Sequence, residues 1–64
     1  MSNKPLYVEY EVEGMGRFAY GPCKDMNEAQ YHYNDINGYE GITMIGIHEF
    51  ALVSGDAKII GSPP

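Results

Sequence analysis

The chain has 64 residues, one cysteine and a formal net charge of −5. A domain of this length buries only about 60% of the surface that its unfolded chain exposes, and the lone Cys23 excludes an internal disulfide and a paired-cysteine zinc site. The negative charge disfavours direct binding of nucleic acid and anionic membranes, and favours basic protein surfaces. We expect one domain over residues 1–64, with residues 1–5 and 62–64 frayed, and no cofactor or metal.

Residues 6–13 alternate apolar and mostly acidic side chains, which predicts a first β-strand. One face of this strand should meet the core and carries Leu6, Val8, Tyr10 and Val12. The other face should be exposed and carries Tyr7, Glu9, Glu11 and Glu13.

A hairpin should follow, with Gly14-Met15-Gly16 as a three-residue loop and Gly16 in the left-handed conformation. The corresponding register pairs Glu13 with Arg17, Val12 with Phe18, and Tyr10 with Tyr20. Charged side chains then pair on the outer face and apolar side chains on the inner face. A two-residue loop would mix the faces, so we favour the three-residue loop.

A helix is predicted over residues 26–37, because Asp25 is a good N-cap and Glu28 completes a capping-box pattern. Spacing of 3.6 residues per turn gathers Met26, Ala29, Tyr33 and Ile36 into one core-facing stripe. Glu28, Tyr31 and Asp35 fall on the opposite side. His32 lies at the edge, where an ion pair with Glu28 or Asp35 would explain it. Gly38 is the expected stop.

Residues 42–53 are apolar on both sides, which is typical of a central strand or of one that also meets another subunit. The length exceeds that of a typical strand, so a bulge or bend is expected near Gly46 or Phe50. Residues 54–57 should form a turn, and residues 58–61 a last short strand.

The predicted fold class is α+β: β-β-α-β-β, a small antiparallel four-stranded sheet with one helix packed on one face. A single helix leaves the other face of the sheet uncovered. We predict that this face and the polar side of the helix bind a partner, through Tyr7, Glu9, Glu11, Glu13, Arg17, Glu28, Tyr31 and Asp35. Ile45 and Ile47 are the predicted self-association residues.

Catalysis is disfavoured by the arrangement of the titratable residues. His32 and His48 lie on separate regular elements and have no recognisable nucleophile beside them. The carboxylates of Glu9, Glu11 and Glu13 stand about 7 Å apart on a face expected to be hydrated, and they converge too little to bind calcium. We therefore expect no enzyme activity.

The joint between helix and third strand, residues 25–45, resembles small phage-encoded inhibitors of host enzymes, such as the inhibitors of bacterial RNA polymerase from T7-like phages. The resemblance lies in an Asp-capped helix containing Asn27-Glu28-Ala29 and in the segment Gly38-Tyr39-Glu40-Gly41-Ile42-Thr43 that opens a strand. It implies a small acidic protein that binds and blocks a target, and it assigns no functional residue.

Three functions follow as hypotheses. The first is a non-enzymatic acidic binding module, such as an inhibitor of the phage type, that docks on a basic surface of a host protein. The second is an oligomer that sequesters a small ligand such as a nucleotide between tyrosine-lined surfaces. The third is a structural or assembly subunit, such as a homodimer, that pairs through its sheet. The apolar run of residues 42–47 is too short to span a bilayer, and no signal peptide is apparent, so we expect a cytoplasmic protein.

Overall fold

The computed structural model describes residues 4–64, and the expected fraying of residues 1–3 lies outside them. The elements are β1 (Leu6–Val12), β2 (Gly16–Cys23), α1 (Met26–Ile36), β3 (Ile42–Glu49), a short 3₁₀ turn (Phe50–Leu52) and β4 (Lys58–Gly61). The predicted α+β class, with four strands and one helix, is confirmed.

The sheet has the strand order β3-β1-β2-β4. β1 pairs antiparallel with both β2 and β3, whereas β4 pairs parallel with β2. The sheet is therefore mixed, and the prediction that all strands run antiparallel is wrong for β4. Of the two readings of the apolar third strand, the central position is wrong, because β3 lies at one edge and β4 at the other, and contact with another subunit stays a prediction.

The β1–β2 hairpin has a different register from the predicted one. Glu11 lies opposite Arg17 and Tyr10 opposite Phe18, so the pairing is displaced by two residues. The reason is a tight turn in which the Met15 amide donates to the Val12 carbonyl over 2.9 Å, with Gly14 at φ 79° in the position that needs a positive φ. A displacement of two residues keeps every side chain on its predicted face.

Helix α1 begins as its capping residues predict. The Asp25 carboxylate accepts a hydrogen bond from the Glu28 amide over 2.9 Å, and the Glu28 carboxylate accepts from the Lys24 amide over 2.7 Å. The helix packs on the Val8 side of the sheet, where Val8, Cys23 and Ala29 form the buried core. Tyr33 and Ile36 pack against this core, as predicted, but Met26 is 54% exposed.

Residues 50–57, which we call the crossover segment, connect the two edges of the sheet and therefore pass across β1 and β2. The Phe50 ring lies 5.3 Å from the Tyr7 ring, and Ser54 Oγ accepts a hydrogen bond from Arg17 Nη1 over 2.9 Å. Both contacts are on the sheet face opposite the helix. The molecule thus has three layers: helix, sheet and crossover segment.

Two local details of the C-terminal half bear on the predictions. A β-bulge interrupts the β1–β3 ladder at Ile45, next to Gly46, and β3 ends at Glu49, where the 3₁₀ turn begins with Phe50, so the predicted irregularity is confirmed. The predicted turn over residues 54–57 is also present, with the Ala57 amide donating to the Ser54 carbonyl. Ser62 is not frayed, since its amide donates to the Gly21 carbonyl and its carbonyl accepts from the Tyr7 hydroxyl.

Candidate binding surfaces

Two of the residues predicted to bind a partner are buried. Tyr7 has no exposed surface and Glu9 has 1%, because the crossover segment covers the middle of the sheet face that was expected to be open. Alternation along β1 placed both side chains on the correct face. Their predicted exposure is wrong, and in this structure neither side chain is open to a partner.

The buried Glu9 faces His48 on the neighbouring strand. Glu9 Oε1 lies 3.4 Å from His48 Nε2, which is longer than a charge-assisted hydrogen bond. Glu9 Oε2 is buried and has no hydrogen-bond partner among the described residues. Glu9 is thus a buried carboxylate whose lost hydration is only partly replaced by contacts with the protein. The alternation of residues along β1 could not reveal this arrangement.

The hairpin end of the same face remains exposed. Glu11 Oε1 lies 3.5 Å from Arg17 Nε, and both side chains are about half-exposed. The predicted partner of Arg17 was Glu13, and the shifted register replaces it with Glu11. Glu13 is exposed near the loop and borders a shallow polar depression. The predicted roles of Glu11, Glu13 and Arg17 in docking stay predictions.

A groove of about 400 Å³ opens on the helix side of the sheet. We call it the aromatic groove; it is lined by Tyr10, Tyr20, Tyr31, His32, Asp35 and Ile36. Periodicity had assigned Tyr10 and Tyr20 to the core and Tyr31 and Asp35 to the far side of the helix. The structure brings the two pairs together at the margin where the helix leaves the sheet.

The rings of the aromatic groove meet at steep angles. The Tyr20 and His32 rings lie 4.7 Å apart at 57°, and the Tyr31 and His32 rings lie 5.3 Å apart at 78°. His32 therefore packs between two tyrosines, and the expected ion pair of His32 is not among the contacts of residues 4–64. Its place at the edge of the helix stripe was the sequence signal for this position.

The aromatic surface continues beyond the groove along β2. The Phe18 ring stacks on that of Tyr10, with centroids 5.9 Å apart at 20°, and Lys58 Nζ lies 5.7 Å from the Phe18 centroid. Ile60, opposite Tyr20 on β4, is 42% exposed. The groove is thus part of a wider, partly exposed aromatic surface.

Burial governs the protonation of the tyrosine at the inner side of this groove. Desolvation, and secondarily the nearby Tyr20, raise the pKa of Tyr10 above 10.0. Tyr10 therefore stays a neutral phenol under physiological conditions. Among residues 4–64, Asp35 is the one acidic residue in the lining, and no lysine or arginine belongs to it.

Glu28, the remaining predicted partner-binding residue, is half-buried and already accepts the Lys24 amide hydrogen. Its carboxylate belongs to the start of the helix and keeps limited freedom for another contact. Among the predicted residues on α1, Tyr31 and Asp35 are the ones that the structure places at a concave surface.

The two residues predicted to mediate self-association do not share a surface. Ile47 packs against the core beneath the helix, whereas Ile45 occupies the bulge and is 40% exposed. The structure therefore does not place these two side chains on one apolar patch. Self-association through β3 itself stays a prediction.

Residues 4–64 contain no group of three or more histidine, cysteine or acidic side chains placed to hold a metal ion. Over the same part of the chain, no helix is both long and apolar enough to cross a membrane. Comparison with protein-family models, curated proteins and solved structures gave no match.

Proposed function

We propose that this chain is a non-enzymatic binding module that docks on a basic surface of a partner protein, with the aromatic groove at the centre of the contact. The observation that carries this proposal is an open groove lined by three tyrosines and one carboxylate, in a chain with a net charge of −5. Tyrosine supplies a large contact area at a small entropic cost and is enriched at interfaces.

Electrostatics would act at two ranges. The overall negative charge steers a basic partner toward the molecule, and the exposed Glu11 and Glu13 extend that field to the hairpin end. Near the groove, Asp35 would meet a cationic group directly. If the covered surface of the partner is a working site, docking inhibits it, which is the mode that the phage inhibitors resembling residues 25–45 suggest.

The test is a binding measurement with a partner captured from the native cell and then purified. We expect affinity to fall steadily as salt rises, and to fall further in the Asp35→Lys variant. A lysine reversal at Asp56, which is exposed and outside the groove, is the matched control. Affinity that changes neither with salt nor with Asp35→Lys would contradict the proposal.

A second candidate function is assembly through the sheet. β3 has a strand neighbour on one side only within the described chain, and Ile45 is exposed beside that edge. A free edge can pair with a strand of another chain, including a second copy. A mass measurement in solution tests this: a dimer that dissociates in Ile45→Lys supports it, and a monomer at high concentration contradicts it.

The nucleotide-sequestering alternative has less support, because phosphate binding needs cations and the groove lining in the described chain has none. A thermal-shift panel of nucleotides addresses it directly.

A further inference from the structure

We infer that the aromatic groove is a recognition site for an arginine side chain of the partner. This inference rests on the proposed function and adds to it the chemistry and the residues of the contact. An arginine offers a planar cation that can stack on rings and also hydrogen-bond a carboxylate through two N–H groups.

The ring geometry suits a cation inserted from outside. The Tyr31 and Tyr20 rings are both inclined steeply to the His32 ring between them, so an angular aromatic corner opens to solvent. Ring faces carry partial negative charge and attract cations within about 6 Å of the centroid. A groove of about 400 Å³ has room for the whole side chain.

Asp35 selects a positively charged ligand, and it favours arginine over lysine. Its exposed carboxylate belongs to the same lining as the rings, so it repels phosphates and acidic peptides and attracts a guanidinium. A lysine ammonium is a compact and strongly hydrated charge, and it cannot use the ring planes and the carboxylate fork together as a guanidinium does.

The same surface already holds a cation within the chain. Lys58 Nζ lies 5.7 Å from the centroid of Phe18, whose ring stacks on Tyr10 at the wall of the groove. This contact shows that one aromatic face on this side of the sheet accepts a positive charge beside the corner formed by Tyr20, His32 and Tyr31.

The experiment titrates the full chain with capped hexa-arginine and hexa-lysine peptides at low salt, using amide chemical shifts to locate binding and calorimetry to measure it. We expect hexa-arginine to bind several-fold more tightly and to shift the amides of Tyr31, His32 and Asp35 most. The variants are Tyr31→Ala, with Tyr39→Ala as control, and Asp35→Asn, with Glu40→Gln as control.

The controls are matched in exposure and charge. Tyr31 is 70% and Tyr39 64% exposed, so neither substitution empties the core, and Asp35→Asn and Glu40→Gln each remove one negative charge from an exposed site. Loss of one cation–π contact should weaken hexa-arginine binding about two- to fivefold in Tyr31→Ala. Asp35→Asn should weaken it comparably, and the two controls should bind as the native chain does.

Two outcomes would overturn the inference in distinguishable ways. Binding centred on Glu11 and Glu13, or equal losses in the variants and their controls, would reject the groove as an arginine site and leave docking on a basic surface intact. If neither peptide binds at low salt, the proposed function fails together with the arginine site.

Discussion

The buried carboxylate of Glu9 offers the sharpest test of the energetics of this fold. We predict that Glu9→Met raises the free energy of unfolding at neutral pH by about 1–3 kcal/mol, because it removes a buried carboxylate oxygen that has no hydrogen-bond partner in the described chain. Methionine has a similar length and leaves no polar atom under the crossover segment. His48 is partly exposed, so its imidazole can stay hydrated when its neighbour is removed.

The magnitude follows from the distances. A protonated His48 at 3.4 Å would return about 5 kcal/mol of Coulomb energy to the Glu9 carboxylate at an effective dielectric constant of about 20, and a neutral imidazole would return less. Desolvation costs several kcal/mol for each ion. The unpartnered Glu9 Oε2 adds a further cost of about 1–3 kcal/mol, which nothing in the described chain offsets.

Urea unfolding followed by circular dichroism measures the change, provided that the m-value stays constant. Glu11→Met, on the same face of the same strand but half-exposed, is the control and should change stability by less than about 0.5 kcal/mol. A loss of more than about 1 kcal/mol in Glu9→Met would refute the reasoning, because the ion pair would then stabilise the fold.

Substitution of His48 tests the same contact from the other side, and with the double variant it completes a double-mutant cycle. His48→Leu removes the partner and leaves a buried unpaired carboxylate, which should cost about 3–5 kcal/mol. A 64-residue domain has a total stability of about 3–10 kcal/mol, so this single variant should lose a third or more of it. Adding Glu9→Met to His48→Leu should restore the lost stability, and a double variant no more stable than His48→Leu would contradict the assigned coupling.

Three further changes test the packing of the sheet. Tyr7→Phe removes the hydrogen bond to the Ser62 carbonyl and should lower the urea midpoint by an amount equivalent to about 1 kcal/mol; an unchanged midpoint would mean that this bond adds nothing. Gly21→Ala should cost about 1–3 kcal/mol, because the new Cβ would lie 2.6 Å from the Tyr7 ring, and native-like stability would show that the ring moves freely. Burial, and secondarily nearby carboxylates, raise the pKa of Cys23 above 9.0, so the unfolded chain releases this proton first. Cys23 should therefore make stability fall as pH rises through 9.0, and Cys23→Ala should remove this fall and leave the one above pH 10.0, where the raised pKa values of Tyr7 and Tyr10 act in the same direction.

Short-range patterns predicted the individual elements well. Asp25 and Glu28 cap the helix as expected, because capping depends on groups within one turn of the chain. Alternation assigned Leu6 and Val8 to one face and Tyr7 to the other, and the turn over residues 54–57 follows from its own residues. The predicted register failed because the three-residue loop is Glu13-Gly14-Met15 rather than Gly14-Met15-Gly16, and the glycine spacing is compatible with both: Gly14 and Gly16 each have a positive φ.

The candidate site was only partly predictable. Exposed Tyr31 and Asp35 were expected to bind a partner, and they line the groove. Tyr10, Tyr20 and His32 were missed, because each was assigned from the period of its own element. Periodicity cannot show how far a helix extends across a sheet, and that extent decides which aromatic residues remain partly open.

By itself, the sequence determined the elements, their two-faced character and the acidic charge. Only the tertiary structure decided that β4 pairs with β2, as in the contact of Phe18 with Lys58, rather than with β3. That distant pairing places β3 and β4 at opposite edges, and the connection must then cross the sheet and bury Tyr7 and Glu9. Local spacing specifies which way a side chain points, but what lies above it depends on contacts between residues far apart in the chain.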